Sequence, residues 1–375
     1  MSKEFIGANK FELDTPCLVI DKEKLQYNLN HMHQHGLQNK VNIRPHCKTH
    51  KCTQLAKLQL EYGAIGISAA KIAEAEVLIN QGISGVLITS PVVTSYKIER
   101  LFNCLKKAPD TMVVVDNLKN IADLEQAGHL HQQTIHVLVD LDPGVGRTGV
   151  APHHALNLAV EIQRSKWLNL IGIQCYAGNL QHIASYHERK TISLKTMQMA
   201  SEIVNNFRRH GLPCDILTGS GTGTYDIDIA ASEVTEIQPG SYTVMDVEYA
   251  AIGSKENSQH FQTFKHAMTL LTTVISSNRA EHVTVDAGTK SIYVDKVHKP
   301  QIMSHSNLHY DWGEFGDEHG KITCSQEGTL PSNGEVLELI VPHCDPTINL
   351  FDKFYITRDD KVIDIWDIDL RGASQ

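Results

Sequence analysis

Positive charge is in short supply: 34 Lys and Arg stand against 43 Asp and Glu, a formal charge of −9. No basic stripe interrupts that balance, so the chain lacks the counter-charge with which nucleic-acid binders neutralise phosphates. A small-molecule partner is expected instead. Long apolar runs are also missing. No window offers the roughly 20 apolar residues a bilayer-spanning helix requires. The opening MSKEFIGANKFELDTP has neither the apolar core of a secretion signal nor an arginine-rich amphipathic face. A soluble, unprocessed chain without a membrane partner is the expectation. Eight cysteines, at 17, 47, 52, 104, 175, 214, 324 and 344, show no paired spacing. Several fall inside apolar strand candidates, where a thiol behaves as a small hydrophobe. That pattern argues against a disulfide-built secreted fold and fits a reducing cytoplasm. Repeats, low-complexity tracts and flexible linkers are absent, which excludes solenoid arrays.

What the chain does have is length and alternation. Its 375 residues, 41% hydrophobic and 21% charged, exceed the size at which one core keeps growing, so two domains are expected. From residue 17 to about 245, short β-branched runs alternate with helical patterns, which implies a parallel sheet with crossover helices. Strands are predicted at 17–21, 41–48, 64–68, 85–90, 111–116, 135–142, 168–176, 214–218 and 234–239, nine candidates for the eight places of a (β/α)₈ TIM barrel. If 17–21 joins the other domain, the remaining eight close the barrel. Gly63, Gly82 and Gly211 stand at expected helix ends. After residue 247 the segments MTLLTTVISS, HVTVDAG, SIYVDKV, EVLELIVP and FYITRDDKVIDIWDI read as an antiparallel β-domain. The division is therefore drawn as a barrel at 17–247 and a β-domain at 248–375, with 1–16 packing against the latter.

Barrels keep their chemistry at the C-terminal ends of their strands. Lys48, in RPHCKTHK, closes the first of these strands, and a period of two would turn Arg44, His46 and Lys48 to the barrel interior. A lysine there can form an imine with an aldehyde coenzyme, and cationic neighbours such as Arg44 and His46 would lower its pKa. The alternative is a basic strand in solvent. The run Thr218, Gly219, Ser220, Gly221, Thr222, Gly223 follows the seventh strand, and Gly240, Ser241, Tyr242 follow the eighth. Barrels commonly hold phosphate at these two loops, where glycine lets backbone N–H groups approach closely and hydroxyls add donors. Together with Lys48 they suggest pyridoxal 5'-phosphate. Arg147, in a glycine-rich turn after strand five, could steady the cofactor's phenolate oxygen. Tyr176 and His182 follow strand six. In the β-domain, His343, Cys344 and Asp345 follow EVLELIVP, and extended geometry would put His343 and Asp345 on one side as a cation pair. One imidazole and one carboxylate without a thiolate suit Mn²⁺ or Mg²⁺ better than a sulfur-rich Zn²⁺ site, although Zn²⁺ remains open.

These motifs together resemble the alanine-racemase-type fold of pyridoxal-phosphate enzymes, and within it the D-threonine aldolases and D-serine dehydratases. The resemblance runs from Asp14-Thr15-Pro16 to HCDPTINL and is carried by RPHCKTHK, GVGRTGV, the Tyr176 to His182 spacing, TGSGTGTY, QPGSY and HCD. It implies that Lys48 holds the cofactor, that Arg147 and Tyr176 contact its ring, and that Thr218 to Gly223 and Gly240 to Tyr242 hold its phosphate. It also implies a divalent metal on His343 and Asp345, His182 near the substrate hydroxyl, and a homodimer. Two departures stand out. Cys47 occupies a place where a small residue is expected, and Ser325-Gln326-Glu327-Gly328 lacks a histidine.

Aldolase and dehydratase chemistry differ in the bond broken at Cα of a D-β-hydroxy amino acid, Cα–Cβ or Cα–H, and a cation on the hydroxyl oxygen assists both. The dehydratases that the chain resembles carry His-x-Cys at the metal; Asp345 stands in that place here and favours the metal-assisted D-threonine aldolase, with His182 as general base. A D-serine or D-3-hydroxyaspartate dehydratase is the alternative. A non-catalytic pyridoxal-phosphate carrier stays open, and a racemase would need a facing tyrosine that the sequence does not locate.

Overall fold

A computed structural model describes residues 5–294, 297–311, 315–325 and 328–375. The chain divides into two units, neither contiguous: Met1–His31, Thr49–Gln54 and Ser241–Arg371 form one, and Met32–Lys48, Leu55–Gly240 and Gly372–Gln375 the other. The chain leaves the second unit directly after Lys48 and again directly after Gly240.

In the second unit eight parallel strands stand in the order Asn42–Ile43, Glu236–Ile237, Ile216–Gly219, Leu168–Cys175, Ile135–Leu141, Met112–Val115, Leu87–Ile88, Ser68–Ala69. The ring closes at a parallel bridge between His46 and Ser68. There the Cys47 N–H donates to the Ser68 carbonyl at 2.9 Å and the Ser68 N–H to the Pro45 carbonyl at 2.9 Å. This is the barrel expected from the alternation. Its central strands are apolar throughout, as in the wholly buried Met112–Val115, because a parallel strand is covered on both faces. The predicted helix-end glycines Gly63, Gly82 and Gly211 all take positive φ, at +88°, +81° and +71°, the left-handed conformation that glycine enters without steric cost.

The first barrel strand is shorter than the 41–48 expected. Pro45 has no N–H to add to the ladder, so regular pairing ends at Ile43 and residues 47 to 50 form a turn. At this seam Arg44 is buried, and its guanidinium takes Glu236 in a two-pronged grip, Nε to Oε1 and Nη2 to Oε2, each 3.0 Å. A third N–H donates to the Gly85 carbonyl. Gly66 must be glycine, since a Cβ there would overlap both the Arg44 guanidinium and the Gly85 carbonyl.

The other unit carries a nine-stranded sheet among the described residues, whose main path runs Leu308–Asp311, Gly320–Cys324, His282–Val285, Met268–Ser276, Cys17–Asp21, Lys353–Arg358, Lys361–Asp367. Cys17–Asp21, the surplus ninth candidate, belongs here. The sheet is mixed rather than purely antiparallel, as Cys17–Asp21 runs antiparallel to Met268–Ser276 but parallel to Lys353–Arg358. A strand contributed from the far N-terminus has no hairpin to dictate its direction. Its side chains Cys17 and Val19 pack with Leu13, Leu271 and Val362. Within SIYVDKV, residues 291–294 form no strand, because the Ser291 and Ile292 N–H groups turn back to the Gly288 carbonyl; residues 295 and 296 lie outside the described residues. Gln326 and Glu327, in the loop without the expected histidine, also lie outside them.

Candidate active site

In the barrel unit the end of the first strand is anchored from both neighbours: the His46 N–H donates to the Pro239 carbonyl at 3.1 Å while Cys47 binds Ser68. Lys48 follows at once, half-buried, with its own N–H on His46 Nδ1 at 3.2 Å. Since Nδ1 accepts that bond, it carries no proton. The other ring nitrogen, Nε2, faces the Thr89 hydroxyl at 3.1 Å, whose proton goes to the Ala69 carbonyl. His46 is therefore uncharged. Arg44 is neutralised by Glu236. Neither acts as the free cation expected beside Lys48, because burial forces each into a complete set of hydrogen bonds.

What the structure does place beside Lys48 is Tyr176. Lys48 Nζ lies 5.6 Å from the Tyr176 ring centre and the Arg147 guanidinium 5.7 Å from the same ring, both within cation–π range. Residues that follow three different strands thus meet at one aromatic ring. Arg147 is exposed at the tip of a turn that Asp142 builds by accepting the N–H groups of Gly144, Val145 and Gly146 at 2.9, 2.8 and 3.0 Å. His182 lies half-buried in the stretch that leads from Tyr176 to helix Tyr186–Arg209.

Beneath the mouth the barrel is plugged with polar groups. Gln174 Nε2 donates to Asp140 Oδ1 at 2.9 Å and to the Thr89 carbonyl at 3.1 Å, and Gln238 Nε2 donates to Thr218 Oγ1 at 2.9 Å. Burial pushes the Asp140 carboxyl up to about 6, against the hydrogen bonds of Gln174 and Thr148 that lower it; Asp116 raises it further and Arg147 lowers it. Between pH 4 and 6 the folded chain therefore holds a proton that the unfolded chain has lost, and its stability falls as pH rises through that window. Asp140→Asn removes the cost of the buried charge. Its stability advantage over wild type should grow from pH 4 to pH 6 and level off above, as read from urea midpoints. A pH-independent difference would show that Asp140 stays ionised throughout.

The glycine loop is built on Gln181. A Cβ at Gly221 would press on the Gln181 side chain and one at Gly223 would overlap its main-chain carbonyl. The Gly223 N–H donates to Gln181 Oε1 at 3.0 Å and the Gly221 N–H to Thr224 Oγ1 at 3.3 Å. Two of the loop's N–H groups are therefore engaged within the protein, and Thr218 turns its hydroxyl into the barrel plug. Ser220 sits between them with φ +65°, unusual for a residue with a side chain. A tight loop of this kind, backed by buried hydroxyls and closed to a Cβ at Gly219, Gly221 and Gly223, fits a phosphate group.

In the other unit Ser241 begins a short 3₁₀ turn, and its hydroxyl donates to Asp345 Oδ2 at 3.3 Å. The Thr49 hydroxyl is 3.5 Å from that of Ser241. Tyr242 is buried, edge-on to Phe264 at 5.6 Å.

His343 keeps the expected extended backbone, at φ −141° and ψ 124°, but Asp345 does not. His343 caps a short helix, Cys344–Ile348, and Asp345 lies in its first turn. Pro346 is accepted there because first-turn N–H groups have no intrahelical partner, and the Thr347 hydroxyl closes the turn on the His343 carbonyl at 2.8 Å. The imidazole is oriented by two acids absent from the sequence reading: Nδ1 donates to Asp246 Oδ2 at 3.2 Å and Glu248 Oε2 at 3.0 Å. Burial draws the ring's pKa down, but Asp246 and Glu248, with Asp345 nearby, carry it up to about 10. A carboxylate on one nitrogen leaves Nε2 as the possible ligand, the usual outer-shell arrangement of a metal-binding histidine. Among the described residues no group of three or more His, Cys, Asp or Glu could hold a metal ion. Asp246, Gln181, Asp228 and Glu236 had no part in the sequence reading; for Asp246 the signal that could have found it is an Asp capping the short helix VEYA.

A family model described as "Alanine racemase, N-terminal domain" matches residues 20–247, and a serine dehydratase domain model matches residues 267–357. The chain is 35% identical to a D-threonine aldolase of Arthrobacter sp over 97% of its own length and 94% of that protein. It is 33% identical to a 3-hydroxy-D-aspartate aldolase of Paracoccus denitrificans strain Pd 1222 over 98% and 94%. Among solved structures, the D-threonine aldolase from Filomicrobium marinum superposes with a TM-score of 0.93 at 32% identity, covering 99% of this chain and 98% of that one.

Proposed function

The chain belongs to the alanine racemase N-terminal domain family, and we propose that within it the protein is a pyridoxal-phosphate-dependent carbon–carbon lyase that cleaves D-β-hydroxy-α-amino acids, D-threonine first among them, to glycine and an aldehyde. The convergence of Lys48 and Arg147 on the Tyr176 ring carries this reading. The coenzyme, when bound, supplies an electron sink for the charge left at Cα.

Each residue then has a part. Lys48 offers the amine, on a backbone clamped by both flanking strands. Tyr176 provides a flat face for the ring and Arg147 a cation at its edge. The Thr218 to Gly223 loop and Gly240 to Tyr242 receive the phosphate. His343, held by Asp246 and Glu248, and Asp345, held by Ser241, would hold a divalent cation, Mn²⁺ or Mg²⁺ before Zn²⁺, which would supply Lewis acidity toward the substrate's β-hydroxyl. His182 accepts the proton of that hydroxyl, which retro-aldol cleavage requires. A homodimer and a cytoplasmic setting belong to the same proposal.

Incubation with D-threonine and Mn²⁺ should release acetaldehyde and glycine in equal amounts. Ammonia with 2-oxobutanoate as the main products would make the protein a dehydratase, and no turnover would leave a coenzyme carrier. After chelation, activity should return with added Mn²⁺ in wild type but not in Asp345→Ala; full activity of chelated Asp345→Ala would remove the metal from the reading.

A further inference from the structure

Next to the glycine loop lies a buried acid with no part in the roles above. Asp228 is 2% exposed and opens a 3₁₀ turn four residues beyond Thr224. Its Oδ1 accepts the Ser193 hydroxyl from helix Tyr186–Arg209, and its Oδ2 accepts the Thr224 hydroxyl at 2.7 Å. Thr224 Oγ1 in turn meets Ser220 Oγ at 3.1 Å, Gln181 Nε2 at 3.1 Å and the Gly221 N–H at 3.3 Å. Every one of these residues is buried.

A hydroxyl has one proton to give. With that of Thr224 directed to Asp228, its oxygen accepts from the Gly221 N–H and the Gln181 amide, and the Ser220 hydroxyl lies against both Thr224 and the carboxylate. One carboxylate thereby fixes the Thr224 hydroxyl on which the back of the loop converges, beside Ser220 in its left-handed conformation. Burial pushes Asp228 up to about 6, opposed by the hydroxyls of Ser193, Thr224 and Ser220 that solvate its charge. A buried acid so costly to ionise is explained if the loop shape depends on it.

We propose that Asp228, acting through Thr224, is the positioning residue of the phosphate loop and determines how tightly the coenzyme's phosphate is held. The claim rests on the cofactor reading above. It separates the phosphate from the rest of the coenzyme, because pyridoxal offers the same ring and aldehyde to Lys48 without the phosphate. Asp228→Asn keeps one acceptor oxygen and turns the other into a donor, so that Ser193 and Thr224 can no longer both donate to it, while Thr224→Val removes the relay at nearly constant shape.

Dissociation constants of pyridoxal 5'-phosphate and of pyridoxal, from titration of the apoprotein by coenzyme absorbance, test this. Loss of a charge-assisted hydrogen-bond system should weaken pyridoxal 5'-phosphate about tenfold or more in each variant while pyridoxal binding stays within about twofold of wild type, with melting curves confirming that each variant folds. Equal weakening of both compounds would reduce Asp228 to general scaffolding and overturn the inference, as would unchanged affinity for both. Wild type that binds neither compound overturns the cofactor reading, and the inference with it. Should Asp228→Asn not fold, Thr224→Val decides alone.

Discussion

Lys48→Ala is expected to abolish aldehyde release from D-threonine, and Lys48→Arg is expected to restore none of it. The pair of variants separates two roles that the geometry allows. Lys48 Nζ faces the Tyr176 ring, so its charge alone could hold an aromatic system in place. Arginine keeps that charge and stacks well on aromatic faces, but a guanidinium is not a nucleophilic amine. If the amine is the covalent anchor, both variants lose activity by about 10³-fold or more, since the route through covalent catalysis is closed. If the charge is what matters, arginine recovers much of it. Borohydride treatment of the holoenzyme followed by peptide mapping should place the coenzyme on the RPHCKTHK peptide. Label elsewhere, or an active Lys48→Arg, would sink the assignment. The main chain at 46–48 is tied to Pro239, Ser68 and the His46 ring, so neither substitution should disturb the fold, and unchanged melting curves are the control.

Glu236→Ala is expected to destabilise the protein by roughly 3–5 kcal/mol, the usual consequence of removing one partner of a buried ion pair. Arg44 and Glu236 have 6% and 3% side-chain exposure, and the two-pronged geometry leaves Arg44 no route to water when the acid goes. The pair lies where the first barrel strand meets the last, a contact that forms only after the whole unit has been laid down. An Arg44→Met, Glu236→Leu double variant should recover a large part of the loss, because an apolar pair of similar volume avoids the desolvation cost. Urea denaturation of the three proteins checks this. If the double variant is as unstable as Glu236→Ala, the pair stabilises the closure through its hydrogen bonds to each other and to Gly85, and not by avoiding a stranded charge.

How much of the site was legible follows from the range of the interactions. Lys48, Arg147 and Tyr176 were visible because each sits at the end of an apolar strand run, and a barrel turns strand ends into one mouth. The glycines of 219–223 were visible as a loop, but their reason was not: the space for a Cβ at Gly221 and Gly223 is taken by Gln181, some forty residues earlier in the chain. The same holds for charge. Arg44 and His46 look like two cations beside a lysine in sequence, yet Glu236 neutralises one and the Lys48 N–H and Thr89 keep the other uncharged. His343 and Asp345 look like alternate residues of a strand, but Asp246 binds the Cys344 N–H at 2.9 Å and bends the chain into a helix turn.

The order of elements, the parallel sheet and the places where chemistry would gather were determined by the sequence alone, because hydrophobic period, glycine and proline act within a few residues of themselves. Tertiary structure alone decided that Cys17–Asp21 joins the mixed sheet, which charges are neutralised, and that Asp246, Glu248, Gln181 and Asp228 support the candidate ligands. The physical reason is that a buried polar group takes whichever partner the fold brings within about 3 Å, and that partner's position along the chain is under no local rule.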